Sequence, residues 1–505
     1  MQTGMARASG RVDTLPSKES FKEAEFLHER SGYRYRVRPD GNRLVMEWDR
    51  PANPAPPAQR DLPWFIGSGA AARSYLLDWK GFLFQAPVTW YAGSGKWDLA
   101  PGYAKHDHPY LIRPILPGCL QCHASGVQHV PRTQNRYASP AFIEPGVACE
   151  RCHGPGGAHI SAMQQGARST GTAIVNPAKL DAKRRDSICA QCHLSGEVRV
   201  PRAGKDAQAF TPGELFSDYM AVFVRSGARS EVKVTSHVED LARSACKIAS
   251  GDRLWCGSCH DSHSAPASSQ RASWYRNKCL GCHEQSSCGE SEGQRRARGD
   301  DCTSCHMPRS TAADADHVVQ TNHAIHRRPA AQSGISPSDA PLVSFGGAET
   351  SKRDLGIAYA MTGRHVRALD LLRQSVTPNS TDSPALLYLA ELYNRDSDYS
   401  QAIPLYEQAI HTDPGQLTGS VSLGALRMQQ NQYGEAIRLW TDALNKNPAL
   451  ILVRFHLAGA LLKTGRRDQA EKVLKEALEF NPAFDAARQA LEQMQRSSRP
   501  GPGRE

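Results

Sequence analysis

The sequence predicts a multidomain protein with a small N-terminal β region, a loop-rich middle domain with few helices, and a C-terminal all-α solenoid. Three observations carry this prediction. All 14 cysteines lie between positions 119 and 305, alternating apolar and polar residues precede them, and a 34-residue period follows position 349. A chain of 505 residues is long enough for two or three domains with separate cores. We divide it into residues 1–118, 119–329, a linker at 330–348, repeats at 349–484, and a capping helix and tail at 485–505.

The N-terminal region is predicted to fold into antiparallel strands. The stretch YRYRVRPDGNRLVMEW alternates on both sides of Pro-Asp-Gly-Asn, a hairpin signal that places Gly41 where a positive φ is needed. A second hairpin is expected from Ser74 to Tyr91, with Lys80 and Gly81 at its turn. We expect these strands to form one unit with the cysteine-bearing segment.

The C-terminal region has helical repeats. The residues at matching positions, 34 apart, are Ala368, Ala402, Ala436 and Ala470, then Pro414, Pro448 and Pro482, then Tyr406, Trp440 and Leu474. Small alanines let the two helices of a repeat approach, the large residue fills the gap between them, and proline ends the second helix. These features are typical of tetratricopeptide repeats. We predict four of them, followed by a capping helix from Asp485 to Gln495.

Six CxxCH motifs occupy the middle domain. They are Cys119, Cys122 and His123; Cys149, Cys152 and His153; Cys189, Cys192 and His193; Cys256, Cys259 and His260; Cys279, Cys282 and His283; and Cys302, Cys305 and His306. Two thiols at this spacing reach the two vinyl groups of one porphyrin as thioethers, and the histidine that follows ligates the iron. The motifs therefore predict a loop-rich multihaem cytochrome c domain with six covalently attached haem c groups.

Zinc is the alternative interpretation of these cysteine pairs. Cys282 and Cys302 are separated by 19 residues, which falls inside a zinc-ribbon window. Zinc gives no reason for a histidine directly after every pair, so haem is favoured. Cys246 and Cys288 lie outside the motifs, where a disulfide and free thiols are both open to them.

A second axial ligand decides whether each iron carries electrons or binds a substrate. The histidines outside the motifs that precede the repeats are His28, His106, His108, His129, His159, His237, His263, His317, His323 and His326. His159 and His263 follow a motif within a few residues. Ligation by two histidines leaves no open iron position for a substrate.

The segments GVACERCHGPGGAH, RLWCGSCHDSHS and DCTSCHMPRS with HVVQTNHAIHRRP carry a family resemblance. They resemble the multihaem cytochromes related to the tetrahaem electron carrier of ammonia-oxidising bacteria, in the branch fused to tetratricopeptide repeats. The resemblance extends from about Phe21 to Pro482. It implies seven distal ligands for six motifs: His28, His108, His159, His237, His263, His317 and His323.

The N-terminus departs from that family. Its members usually have one more CxxCH before a stretch similar to QTGMARAS, with which this chain opens, and MQTGMARASGRVD has no apolar signal-peptide core. Haem is attached to such motifs outside the cytoplasmic membrane. We therefore expect a periplasmic or otherwise extracytoplasmic protein. Its signal peptide has either been removed or is encoded upstream of Met1, in the second case together with a seventh haem motif.

The charge of the chain does not point to nucleic acid. The net charge is +10, but the basic residues are scattered. Each haem brings two propionates and a ferric centre of net charge about plus one, so six haems would lower the charge of the oxidised protein to about +4. The sequence has no run of eighteen apolar residues, the length that would predict a transmembrane helix.

The motifs and the resemblance together favour an exported electron carrier with closely packed, mostly bis-His haems. Redox proteins would be its partners, and a protein would dock in the groove of the repeats. One alternative is a multihaem oxidoreductase that acts on hydroxylamine or a small nitrogen or sulfur oxyanion at one open haem. Another is a scaffold whose haem domain senses redox state. No hydrolase or nucleotide-binding motif is present, so we predict no catalytic side chain.

Overall fold

The structure of the chain is a computed structural model. It describes residues 3–13, 19–52, 57–106, 113–166, 174–227, 231–284, 288–315, 317–327, 339–482 and 484–497. His108, one of the expected distal ligands, lies outside these ranges. No helix within them is both long enough and apolar enough to cross a membrane.

Two antiparallel sheets form the N-terminal region, as predicted. Their strands are β1 (Ser9–Arg11), β2 (Glu25–His28), β3 (Tyr33–Asp40), β4 (Arg43–Asp49), β5 (Ala58–Asp61), β6 (Trp64–Ile66), β7 (Ala72–Trp79), β8 (Phe82–Tyr91) and β9 (Lys96–Leu99). One sheet has the order β1-β6-β7-β8-β9, and the other has the order β2-β3-β4-β5. Alternate residues of the strands point inward, so that Tyr35, Met46, Tyr75 and Phe84 are buried in one shared core.

Both predicted hairpins are confirmed. β3 pairs with β4 around Gly41, whose φ is +61°. β7 pairs with β8 around Lys80 and Gly81, whose φ angles are 52° and 86°. Two consecutive residues with positive φ match the twist of the flanking strands, which is why this turn joins them so tightly.

Short helices and strands make up the cysteine-bearing segment. The helices are α1 (Pro117–His123), α2 (Glu150–His153), α3 (Gly157–Gln164), α4 (Ala182–His193), α5 (His237–Ala242), α6 (Ala245–Ser250), α7 (Cys256–Cys259), α8 (Arg271–Leu280), α9 (Glu292–Ala297) and α10 (Cys302–His306). The strands are β10 (Ala124–His129), β11 (Tyr137–Pro145), β12 (Val198–Pro201), β13 (Met220–Arg225), β14 (Arg309–Thr311) and β15 (Val319–Thr321).

The expectation of few helices in this segment is wrong. The described residues between Pro117 and His306 contain ten α-helices, although each is short. The physical reason lies in the motifs, because residues three and four positions apart share one face only on a helical turn. Every motif therefore brings a turn of helix with it.

The expected linker at 330–348 contains a strand. β16 (Leu342–Ser344) pairs antiparallel with β13, which completes a sheet of the order β12-β13-β16. The surrounding Ser, Pro and Ala residues suggested a free linker, but Leu342 is buried in the sheet's core. The end of the linker is therefore part of the fold, while residues 330–338 lie outside the described ranges.

The C-terminal region is the predicted helical solenoid. Its helices are α11 (Lys352–Met361), α12 (His365–Arg373), α13 (Ser383–Arg395), α14 (Tyr399–Thr412), α15 (Leu417–Gln429), α16 (Tyr433–Lys446), α17 (Ile451–Lys463), α18 (Arg467–Phe480) and α19 (Asp485–Ser497). The repeated alanines are fully buried at Ala368, Ala402, Ala436 and Ala470. Four helix pairs and the cap formed by α19 confirm the repeat pattern.

The solenoid packs directly against the rest of the chain. Ile357 of α11 shares a core with Val200 of β12 and Phe223 of β13. At the other end, Phe480 of α18 enters the N-terminal core, where its ring lies 4.7 Å from that of Trp79. The repeats therefore form a continuous structure with the other two regions.

Candidate haem sites

The motifs sit on short helices that present their cysteines and histidine together. The clearest case is α4, which begins where the Asp181 side chain accepts a hydrogen bond from the Arg184 backbone N–H. This helix ends at His193, with Cys189 and Cys192 in its last turn. α1, α2 and α10 likewise end at the histidine of their motifs.

Three histidines have their Nδ1 atoms held by backbone carbonyls. His153 Nδ1 lies 2.8 Å from the Val175 oxygen, His306 Nδ1 lies 2.7 Å from the His326 oxygen, and His323 Nδ1 lies 2.9 Å from the Thr321 oxygen. A ring that donates from Nδ1 to a carbonyl keeps Nε2 as the nitrogen for a metal. These three rings are therefore oriented as iron ligands would be.

Histidines from distant parts of the chain form a cluster. The His237 ring lies 5.0 Å from that of His193 and 4.6 Å from that of His323, and the His323 ring lies 6.2 Å from that of His260. Burial, followed by the charges of neighbouring histidines, lowers the pKa of His193 to about 4 and that of His237 to about 3. Both rings are thus neutral at pH 7, the form that binds metals.

A separate pair joins the second motif to a residue after the fourth. The rings of His153 and His263 lie 6.0 Å apart with an angle of 17° between their planes. Two imidazoles that share one metal, each with a bond of about 2 Å, have ring centroids about 6 Å apart. The spacing of His153 and His263, and that of His260 and His323, therefore fits a shared iron.

Side chains of different motifs lie close together. The Sγ atom of Cys122 lies 4.0 Å from the backbone carbonyl oxygen of Gln191, inside the third motif. Interaction with Cys192 lowers the pKa of Cys122, and interaction with Cys256 raises the pKa of Cys189. The first motif is thus a neighbour of the third, and the third is a neighbour of the fourth.

The fifth and sixth motifs form a further pair. Burial, followed by the adjacent Cys302 thiol, raises the pKa of Cys279 to about 11. In the fifth motif, both Cys282 and His283 are exposed, unlike the partly buried residues of the third motif. This end of the cysteine-bearing segment lies at the surface.

The stretch from Ala245 to Thr311 has no side-chain core of its own. None of its described residues is buried, although it contains three complete motifs. A protein segment of this length ordinarily buries apolar side chains to offset its conformational entropy. Haem macrocycles, which are large and apolar, fit this arrangement as the missing interior.

Two of the expected distal ligands have their nitrogens engaged by protein groups. His28 places Nδ1 2.7 Å from the Ser31 hydroxyl and Nε2 3.2 Å from the Ala104 carbonyl oxygen. The Nε2 atom of His317 lies 2.9 Å from an Asp98 carboxylate oxygen. The structure therefore brings neither of them to a motif histidine.

The other expected distal ligands are His159, His237, His263 and His323. His159 lies on α3, and its Nδ1 atom is buried with no hydrogen-bond partner. The remaining three lie beside motif histidines, as described above. His326, the additional histidine of the sequence, contributes its backbone carbonyl to His306.

In the part of the chain that the structure describes, no three Cys, His, Asp or Glu side chains converge as a metal-ion site. No disulfide joins two cysteines among the described residues, Cys246 and Cys288 included.

Sequence reasoning missed the side chains of α8. Trp274 Nε1 donates to the Cys259 carbonyl oxygen at 3.4 Å, and the Tyr275 hydroxyl lies 3.3 Å from His260 Nδ1. Two adjacent aromatic residues between two CxxCH motifs were the available signal. The carbonyl of Val175, by contrast, could not be found from the sequence, because a backbone acceptor leaves no trace in residue identity.

Models of known families match four stretches of the chain. "Cytochrome c554 and c-prime" matches residues 105–154, and "Doubled CXXCH motif" matches residues 247–287. Two tetratricopeptide-repeat models match residues 385–418 and 427–494. No curated protein matches the chain.

Solved structures of the protein MamA match part of the chain. "MamA AMB-1 P212121" is 28% identical, covers 29% of this chain and 80% of its own, and has a TM-score of 0.28. "MamA R50E mutant" is 26% identical, covers 26% of this chain and 95% of its own, and has a TM-score of 0.20.

The family models settle the general nature of the chain. CXXCH motifs in cytochrome c families indicate covalently bound haem c and an extracytoplasmic protein, and tetratricopeptide repeats imply protein–protein interaction. The chain is a multihaem c-type cytochrome of the doubled-CXXCH type, fused to C-terminal tetratricopeptide repeats.

Proposed function

We propose that this cytochrome is an exported, periplasmic or otherwise extracytoplasmic electron carrier with six closely packed haems. The observation that carries the proposal is the close approach of different motifs. Cys122 Sγ of the first motif lies 4.0 Å from the Gln191 carbonyl oxygen of the third, and Gln191 Nε2 donates to the Arg151 carbonyl oxygen of the second at 3.1 Å. Each bound haem supplies a one-electron iron couple. Motifs that approach this closely hold neighbouring macrocycles close together, as electron transfer between them requires.

Each motif is proposed to bind one haem through its two cysteines and to ligate the iron through its histidine. The ring distances support three bis-His pairs: His153 with His263, His260 with His323, and His193 with His237. The third pair, at 5.0 Å, has to open by about 1 Å to admit a metal between its nitrogens. His159 is proposed as a fourth distal ligand.

Intact mass and magnetic resonance test this proposal. We expect the purified protein to carry the mass of six haems, or of seven when a longer gene product includes a further motif. Replacing Cys189 and Cys192 by alanine should remove one haem, whereas Cys246→Ser should remove none. A protein with fewer than six haems, or with mainly high-spin iron in its oxidised form, would contradict the proposal.

A multihaem oxidoreductase is the second candidate, and one observation favours it. His28 and His317 are engaged by Ala104 and Asp98, which leaves fewer distal histidines than motifs among the described residues. One iron would then have an open position for hydroxylamine or a small nitrogen or sulfur oxyanion. A high-spin signal that shifts on addition of nitrite or hydroxylamine would support this candidate, and an unchanged low-spin spectrum would exclude it.

The repeats are proposed to dock a protein partner in their groove, and redox proteins are the proposed partners of the haems. Deleting the repeats is an unsuitable test of the scaffold alternative, because α11 covers Val200 and Phe223 of the haem-bearing unit. Substitutions at the exposed surface of the solenoid, such as Val366→Glu, leave that core intact. We expect them to weaken partner binding without changing the haem spectrum.

A further inference from the structure

Helix α8 holds the fourth motif with two consecutive side chains. Trp274 donates to the carbonyl oxygen of Cys259 at 3.4 Å, and the hydroxyl of Tyr275 lies 3.3 Å from Nδ1 of His260. The Tyr275 and His260 rings meet edge to face, with centroids 5.5 Å apart. One helix thus fixes both the backbone and the imidazole of this motif.

Among the motif histidines whose Nδ1 atom has a hydrogen-bond partner, His260 is distinct because its partner is a side chain. His153 and His306 each face a backbone carbonyl, at 2.8 and 2.7 Å. Only a side-chain partner can be altered by substitution without moving the main chain. A hydrogen bond from Nδ1 makes an imidazole a more electron-donating ligand, which stabilises the oxidised metal.

We propose that Tyr275 is a positioning residue for His260 and sets the reduction potential of the haem in the fourth motif. This inference rests on the proposed six-haem function. When Nε2 of His260 ligates the iron, Nδ1 carries the proton and donates a hydrogen bond to the phenol oxygen of Tyr275. The hydrogen bond fixes the orientation of the imidazole and raises its basicity.

The position of Tyr275 on α8 also brings it close to the fifth motif. Tyr275 precedes Cys279 by four residues, so both lie on one face of the helix. Cys279 belongs to the fifth motif, and the phenol therefore lies at the junction between two haem sites. A change at Tyr275 alters the potential difference that drives electrons across this junction.

The variant Tyr275→Phe tests the inference on the haem-loaded full chain. It keeps the ring packing and removes the hydroxyl, so we expect a positive shift in one of six one-electron steps of a spectroelectrochemical titration. The low-spin resonance of one haem should change with it. Tyr399→Phe, which removes a hydroxyl in the solenoid, should leave all six steps in place.

Failure of the inference is distinguishable from failure of the six-haem proposal. Replacing both Cys256 and Cys259 by alanine should lower the intact mass by one haem, and an unchanged mass would overturn the haem assignment itself. If that mass falls but the Tyr275→Phe titration superimposes on that of the native protein, the role of Tyr275 is overturned. Loss of a haem from Tyr275→Phe would also overturn it, because the residue would then act in haem retention.

Discussion

The solenoid and the segment from Ala245 to Thr311 are stabilised in different ways. In the solenoid, each repeat buries its own side chains, so that Ala402 and Tyr406 are both fully buried. In the other segment, none of the described residues is buried. The first is a fold that its own apolar residues can hold, and the second has no buried apolar residue among those described.

This difference follows from where each region obtains its favourable free energy. A repeat contacts its nearest neighbours, and these local contacts offset the entropy of ordering each helix. A segment without a core gains too little from its short helices, because isolated helices of fewer than about 12 residues are marginal in water. Covalent haem, attached through the two cysteines of one motif, supplies further contact surface.

Removing one haem should therefore have the largest effect on stability. In a variant with Cys279→Ser and Cys282→Ser, we expect loss of one haem and rapid hydrogen exchange across 245–311, while the solenoid helices stay protected. The paired variant Cys246→Ser and Cys288→Ser is the control, because these thiols lie outside the motifs. Equal exchange in the two variants would show that the segment folds without haem.

The solenoid also packs against the N-terminal β region, which, unlike the segment 245–311, has a core of buried side chains. Phe480 is 3% exposed and inserts from α18 into the N-terminal core beside Trp79. Phe480→Ala should cost about 3–5 kcal/mol of unfolding free energy, as for other buried phenylalanines. It should also separate the unfolding of the solenoid from that of the β region, because it removes their shared side chain.

Denaturation followed at the haem absorbance and by circular dichroism measures that separation. Leu474→Ala is the matched control, since Leu474 is buried within the solenoid and α18 carries both residues. We expect Leu474→Ala to destabilise the repeats without loosening the β region. A single coincident transition in Phe480→Ala would mean that the interface does not depend on this ring.

The sequence was informative where structure depends on residues close together in the chain. The 34-residue spacing predicted the burial of Ala402, and alternation predicted the hairpin at Gly41. It was uninformative where residues far apart decide the outcome. The insertion of Phe480 into a core of strands is one such case, and the contact of His317 with Asp98, 219 positions away, is another.

The same distinction holds for the haem sites. A CxxCH motif is a local signal, so the cysteines and the adjacent histidine could be named from the sequence. The distal ligand of each haem depends on which histidine ring the fold brings to which motif. The resemblance could therefore name candidate histidines but could not pair them with motifs. The structure places His263 beside His153 and His323 beside His260, but leaves His28 with Ser31.

Close helix packing within the solenoid gives a smaller effect. A Cβ atom at Gly424 of α15 would lie 2.5 Å from Nε1 of Trp440 on α16. Gly424→Ala should therefore overpack this contact and cost about 1–3 kcal/mol, seen as a lower midpoint in thermal denaturation. The haem spectrum should stay unchanged, because the contact lies between repeat helices.

The control for this substitution is a glycine with free space around it. A Cβ atom at Gly459 of α17 would have no heavy atom within 4 Å, apart from those of its own helix. Gly459→Ala should raise stability by about 0.5–1 kcal/mol, because alanine restricts the unfolded chain. If both alanine variants were stabilised, the close approach of α15 and α16 would be wrong.

The smallest predicted effect concerns one hydrogen bond between the solenoid and the hairpin of β10 and β11. Asn447, which follows α16, donates from Nδ2 to the Oε1 atom of Gln134 at 2.6 Å, in the loop between β10 and β11. Gln134→Ala should cost about 1 kcal/mol in denaturant titration, since Asn447 is buried and loses its acceptor. Gln128→Ala removes an exposed bond to Pro140 within the same hairpin and should cost less. Equal costs would mean that the boundary contact adds nothing beyond the stability of the hairpin. A larger cost for Gln134→Ala would show that the solenoid supports the strands that follow the first haem motif.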